Sequence, residues 1–326
     1  MLRRLVLALL LLCPCVAAVA ANVADGSGRS VSVPDHIVRV LPAGPPAAVL
    51  LGALAPDLML GWPEPLSPEA RAFLPPVAAQ LPEIPRLTGR ADVTAQIEAL
   101  HPDLIVDYGT ISSRYAELAR TTQQRTGIPT LLLDGSMAQI PNAFHLLGRV
   151  LHREARADEL AKLAEALLIL PAKQDAHPRV LCTRGADGQT VIAPGTDVAG
   201  VFKRLGWEVV APEGKGPFRG ATIDDIRKLD PDVLVFSDPD MRGTLAKSAE
   251  WRSLRAVRDG HVLIAPDLPF GWIEEPPSIN RLLGFAWLAG HDPKTLATNF
   301  YAVMYGHALT PTQLDTLLVE LRPIHP

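Results

Sequence analysis

Apolar residues in this chain follow two rhythms. Short uninterrupted runs, among them IPTLLLD (128–134), RVLCTR (179–184) and DVLVFS (232–237), have the composition of strands covered on both faces. Between them, apolar residues recur at helical spacing, as in GPPAAVLLGALA (44–55), Arg114–Thr126, PGTDVAGVFKRLG (194–206) and PPSINRLLGFAWLAG (276–290). The prolines of the first of these helices fall in its first turn, where their missing N–H costs nothing. A first core strand is expected to end near Leu41, a second at DLMLGW (57–62), and a proline-rich surface excursion to follow over 63–85. Strand and helix alternate in this way through both halves, which predicts parallel sheets with right-handed crossovers.

One phrase occurs twice. IEALHPDLIV (97–106) and IRKLDPDVLV (226–235) lie 129 residues apart and agree in register. Each reads as the end of an amphipathic helix, a proline that stops it, an aspartate, and a buried strand. The repeat predicts two lobes of similar build. Between them, Ile140–Leu170 has helical spacing and strong helix formers, with Gly148 as a possible break. About 20 helical residues span about 30 Å, so this element is expected to act as a spine between the lobes rather than a flexible linker. The expected fold is α/β, two doubly wound α/β lobes joined by a single long helix. Its divisions are a signal peptide over 1–21, an N-terminal lobe over 22–139, a helical spine over 140–176 and a C-terminal lobe over 177–326.

The leader expectation rests on MLRRLVLALLLLCPCVAAVAA, in which two arginines precede an apolar run and a small-residue cleavage site. The run is too short for a stable membrane anchor. Cys13 and Cys15 would leave with it, so Cys182 stands alone as a small core residue and no disulfide framework is expected. Removing Arg3 and Arg4 from the 31 basic side chains leaves 29 against 35 acids, a net charge of about −6. An acidic balance argues against nucleic acid or an anionic membrane as partner.

Ligands of open α/β sheets sit beyond the carboxyl ends of the strands, and two such sheets can share a cleft. The candidate ligand residues are therefore Trp62, Tyr108, Arg184, Trp272, Ser278 and Arg281. Ser278, capping a helix, and Arg281, one turn further in, suit an anionic or chelated solute. Four of them have a second reading: Trp272 as a core aromatic, Ser278 as a plain cap, Arg184 as a surface residue, and Arg281 as the partner of Glu274 or Glu275. Enzyme signatures such as G-x-S-x-G, H-E-x-x-H and the phosphate-binding loop are absent from the sequence. His101, His145, His152 and His261 lack metal-ligand spacing, so neither a cofactor nor a directly ligated metal is expected.

The order of these signals resembles the periplasmic binding proteins that deliver iron-siderophore chelates and vitamin B12 to ABC importers, the helical-backbone class III binding proteins. The resemblance is carried by DGSGRSVSVPDHIVRVLP, IEALHPDLIV, TGIPTLLLD, LGRVLHREARADELA, IRKLDPDVLVF and VRDGHVLIAP, which span nearly the whole chain after its leader. It implies a monomeric, non-enzymatic periplasmic receptor with a shallow inter-lobe cleft, whose partners are a small metal-containing or anionic solute and a membrane permease. Family members carry one docking acid per lobe, seven residues before the repeat's proline. In the second lobe this is Asp224; in the first it is Ala95, leaving Asp92 or Glu98 as substitutes. An iron-siderophore type of chelate ranks first as solute, an oxyanion such as molybdate or tungstate second, and a corrinoid third, because aromatic side chains are few. The rival from another class is an exported α/β enzyme using Glu274 or Glu275 with His307 in the same cleft.

Overall fold

A computed structural model describes residues 21–87, 93–173 and 177–321; the leader as far as residue 20, Asp92 and the last five residues lie outside them. The described chain opens with a hairpin of β1 (Ala21–Ala24) and β2 (Ser30–Val33). The first lobe then forms a parallel sheet of β3 (Val40–Pro42), β4 (Leu104–Gly109) and β5 (Thr130–Asp134) in that spatial order. The second lobe is built on β6 (Arg179–Arg184), β7 (Thr190–Ile192), β8 (Glu208–Val209), β9 (Phe218–Gly220), β10 (Val233–Phe236) and β11 (Val262–Ile264). Strands β11, β10, β6 and β8 run parallel, while β7 and β9 extend the edge antiparallel. The chain is thus mixed α/β with two lobes.

Both faces of each sheet are covered, as the unbroken apolar runs require. In β4, Leu104 and Val106 face the large central core and Ile105 faces a small outer cluster with Leu41, Ile84 and Ile97. In the second lobe, Val180, Cys182 and Val235 join the same central core, while Leu181, Leu234 and Phe236 face an outer cluster of their own. The central core is therefore shared between the lobes and runs through the connecting helices and the helix Arg281–Leu288.

The repeated phrase has a structural counterpart that explains its spelling. After the helices Thr94–Ala99 and Ile223–Leu229, the chain turns through His101 and Asp230, both in the left-handed region at φ 45° and 43°. The aspartate after each proline then clasps the neighbouring strand. Asp103 accepts from the Val38 and Arg39 amides at 2.9 and 2.8 Å, and Asp232 accepts from the Arg179 amide at 2.9 Å. The arginines reply: Arg39 donates to the His101 carbonyl and Arg179 to the Asp230 carbonyl, each at 3.1 Å, filling acceptors left open at the helix end. Arg-Val-Leu recurs at 39–41 and 179–181 for this reason. The duplicated unit is a strand-edge lock, set at the amino end of the strands in each sheet.

Two expectations are corrected. DLMLGW forms no strand: it meets β3 through a single parallel bridge at Met59, and Trp62 bridges to Glu83. Prolines at 56 and 63 confine it, and Gly61 lies so close to the Pro82 carbonyl that an added Cβ would sit 2.4 Å away. The spine is shorter than the helical pattern suggests. Ile140–Leu151 and Glu154–Leu168 are separate helices, divided at His152, which takes a left-handed conformation at φ 53°. Gly148 is not the break but the contact point, its missing side chain admitting Ala157 from the second helix. Glu154–Leu168 alone leads into the second lobe.

Because the two aspartate clasps are far apart and independent, Asp103→Ala and Asp232→Ala should each lower unfolding free energy by about 1 kcal/mol and combine additively. Urea denaturation of the single and double variants tests this; no loss in either single variant would show the clasp to be incidental.

Candidate functional site

The carboxyl ends of both sheets open onto one cavity of about 1090 Å³. Gly44 and Pro45 follow β3, Gly109 and Thr110 follow β4, Gly135 follows β5, Arg184 ends β6, and Asp267 lies beyond β11. The loop 268–277 closes the second lobe's side of the cavity with Phe270, Glu274 and Glu275. Five aromatic side chains line it: Trp62, Tyr108, Tyr115, Phe218 and Phe270. Five aromatic side chains at one cavity give it flat apolar walls although the chain as a whole has few aromatics. Trp62 and Phe270 come from different lobes and pack at 5.4 Å between ring centres, with the indole N–H donated to the Ala78 carbonyl at 2.9 Å.

Arg281 is the central cation. It is 1% exposed and holds main-chain carbonyls on three segments: Ser278 at 3.2 Å through Nε, Asp197 at 3.0 Å through Nη1, and Gly135 through Nη2. It therefore ties the end of β5 in the first lobe to the second lobe. The alternative pairing with Glu274 or Glu275 is not what forms; no ion pair of Arg281 with a carboxylate occurs among the described residues. A close approach of backbones makes this geometry possible, since a Cβ on Gly135 would lie 2.6 Å from the Gly109 Cα. Tyr108 stands with its hydroxyl buried beside Arg281, close enough for the guanidinium to act on it. Burial pushes that hydroxyl up to about 12 against the pull of the guanidinium.

Arg184 also lines the cavity, but its charge is met. Its Nε donates to Glu275 at 2.9 Å, Glu274 lies 3.5 Å from Nη1, and the guanidinium stacks over Phe218 at 4.8 Å. Glu274 is 2% exposed, and one of its oxygens has no hydrogen-bond partner. Burial raises it to about 7, with Arg184 opposing and Glu275 reinforcing the shift. Glu275 and Asp267 are raised as well, by burial first. Composition could not have revealed this buried acidic side; the only cue is a pair of glutamates in a proline-rich loop.

Two of the six expected ligand residues lie elsewhere. Trp272 is fully buried outside the cavity, donating to the Tyr301 hydroxyl at 3.2 Å and packing against Trp287 at 6.1 Å. It is core, and the backbone of Gly284 presses on it so closely that a Cβ there would stand 2.1 Å from the Trp272 carbonyl. Ser278 is fully buried and caps no helix; its hydroxyl donates to the Pro46 carbonyl of the first lobe at 2.8 Å. Two further bonds complete the seam: Thr110 donates to Asp197 across the cleft, and Arg281 to Gly135. His307 contacts Gln313 and lies outside the cavity lining, so the Glu274, Glu275 and His307 grouping is not assembled. Among the described residues, no group of three or more His, Cys, Asp or Glu is placed to hold a metal ion. Of the expected docking acids, Asp224 and Glu98 are both exposed, and Asp224 pairs with Arg227 one turn on.

A family model described as periplasmic binding protein matches residues 76–268. The chain belongs to that family. It is a periplasmic binding protein, and its two-lobed mixed α/β fold is the one its solved neighbours share. Among solved structures, the solute-binding protein of an ABC transporter from Sulfurospirillum deleyianum superposes with a TM-score of 0.79 at 23% identity, covering 91% of this chain and 99% of that one. The molybdate-bound periplasmic binding protein MolA of Haemophilus influenzae gives 0.70 at 18% identity, covering 89% and 99%. In sequence, the high-affinity heme uptake system protein IsdE of Staphylococcus aureus is 25% identical over 138 residues, 38% of this chain and 47% of that protein. The chain thus spans about half the length of the curated relatives it matches. No helix among the described residues is long and apolar enough to cross a membrane.

A buried carboxyl raised to about 7 favours the folded state in its protonated form. That contribution is complete below the ordinary glutamate value and is lost as pH climbs through about 7. Glu274→Gln should therefore raise the melting temperature of the unliganded protein at pH 8 and leave it nearly unchanged at pH 5. Thermal melts at the two pH values check this, and a gain of equal size at both would assign the effect to something other than the carboxyl's charge.

Proposed function

We propose that this protein captures a bulky metal chelate of the iron-siderophore type in its inter-lobe cavity and delivers it to the membrane permease of an ABC importer. The observation that carries this reading is the cavity itself: about 1090 Å³, walled by five aromatics, with a buried guanidinium that has no carboxylate partner among the described residues. A space at the top of the range for organic ligands fits a chelate better than a bare oxyanion, which would leave most of it filled with water. The cation and the neighbouring Tyr108 hydroxyl suit the anionic oxygens of a chelate. The Trp62 and Phe270 faces favour a second reading, a flat tetrapyrrole or corrinoid, on the same grounds of size.

The delivery step is read from the surface. Asp224 and Glu98 sit on the two duplicated helices and would orient the receptor on basic pockets of the permease. The leader over 1–21 would export the chain, and the solute would be carried by a monomer in the periplasm. Trp62, Tyr108, Arg184 and Arg281 are the contact residues of this proposal. Trp272 and Ser278 would serve as the core and the inter-lobe seam behind it.

Melting shifts against ferric citrate, ferric catecholate, hemin, cyanocobalamin and molybdate test the reading, since a solute at 100 times its Kd stabilises by about 2.7 kcal/mol. A ferric chelate is expected to give the largest shift; a shift with molybdate alone would replace it with the oxyanion. Tyr108→Phe removes a buried hydroxyl beside Arg281, so it should weaken the active chelate roughly 5- to 10-fold with little change in unliganded stability. An unchanged Kd would remove Tyr108 from the site. For delivery, Asp224→Lys should slow uptake in a reconstituted transporter while leaving solute affinity intact, and an unimpaired rate would refute the docking role.

A further inference from the structure

Beyond size and the Arg281 cation, the cavity has a second polar side with the opposite sign. Glu274 is 2% exposed, lines the cavity, and has one carboxylate oxygen buried without a hydrogen-bond partner. Among the described residues its one salt bridge is with Arg184 at 3.5 Å, and Arg184 is shared with Glu275 at 2.9 Å. One guanidinium thus answers two carboxylates. Arg281 acts on Glu274 more weakly, and Asp238 and Glu64 add negative charge around Glu275. Asp267 lines the same cavity among Asp238, Asp240 and Glu275. An acceptor buried without a donor is costly, and a local excess of negative charge makes a cationic donor the most favourable one to supply. A bare metal ion does not fit the role, because no set of three or more suitable ligands converges among the described residues.

We propose that the Glu274 side of the cavity is an ammonium subsite, in which a protonated amine of the bound solute donates to the free Glu274 oxygen while the solute's anionic or metal-bearing part faces Tyr108 and Arg281. The inference rests on the receptor reading and narrows it: the solute class is a metal chelate carrying a primary amine. Glu275 is the less important member, since Arg184 already occupies it. Amine binding favours the ionised carboxylate, so affinity for such a solute should rise between pH 6 and pH 8.

The test uses the full receptor with ferrioxamine B, a ferric trihydroxamate with a terminal ammonium, and its N-acetylated form, which lacks only that charge. Calorimetry is expected to show at least 10-fold tighter binding of the ammonium form by the wild type at pH 8, a preference reduced below 3-fold in Glu274→Gln and largely kept in Glu275→Gln. Equal affinities in the wild type overturn the subsite with the receptor reading intact, and this comparison needs no variant to fold. Binding of neither hydroxamate, alongside binding of hemin, cyanocobalamin or molybdate, also overturns the subsite. Failure of these five probes and of ferric citrate and ferric catecholate as well overturns the receptor reading itself.

Discussion

The buried guanidinium of Arg281 is the constraint on which the rest of the site depends. Its three carbonyl partners belong to the end of β5, to the segment after β7 and to the turn that precedes its own helix. A cation held by carbonyl dipoles rather than by a carboxylate keeps most of its charge unneutralised, yet pays its desolvation only through those dipoles. The lobes must therefore stay near this separation for the cation to remain satisfied. The Ser278 bond to Pro46 and the Thr110 bond to Asp197 act on the same seam. With the hydrophobic core also continuous across the lobes, large independent lobe motion would break several buried contacts at once.

That rigidity concentrates the chemistry of recognition into side chains. The two arginines of the cavity wall that sequence reasoning singled out have different fates. Arg184 is neutralised by Glu274 and Glu275 and braced on Phe218, so it shapes the acidic side more than it attracts anions. Arg281, held by three carbonyls and without a carboxylate partner among the described residues, is the residue that projects positive potential. Between them stand Tyr108 and the Trp62 and Phe270 faces, giving a cavity with a positive side, a negative side and apolar walls. Such a distribution discriminates among solutes by the placement of their charges as much as by shape.

The same scaffold unit, used twice, leaves the cleft free to diverge. In both lobes the aspartate clasp works at the amino ends of the strands, where it fixes the helix turn against the next strand. Residues at the opposite ends carry no such duty and differ between the lobes: Tyr108-Gly109-Thr110 follows β4, while Ser237 follows β10 and donates to the Thr183 carbonyl at 3.1 Å. Family membership rests on the scaffold. The solute is a matter of the cleft.

Much of the architecture was legible in the chain: the two lobes, the buried parallel strands, the helices after Gly44 and before the repeats, and the strand ends as the place to look. These depend on local patterning, on where prolines stop helices, and on apolar runs that suit only doubly covered strands. What the sequence could not decide was the pairing of side chains far apart along it. Trp272 and Tyr108 are equally plausible wall residues by position, yet one is enclosed by Tyr301 and Trp287 and the other borders the cavity. Arg281 had glutamates near it in sequence, but the turn at Ser278 aims it at Gly135, 146 residues away, and leaves those glutamates to Arg184. Local periodicity determines which face of a helix or strand is buried; only the packing of the two lobes determines which charges meet, because that depends on distances no linear spacing encodes.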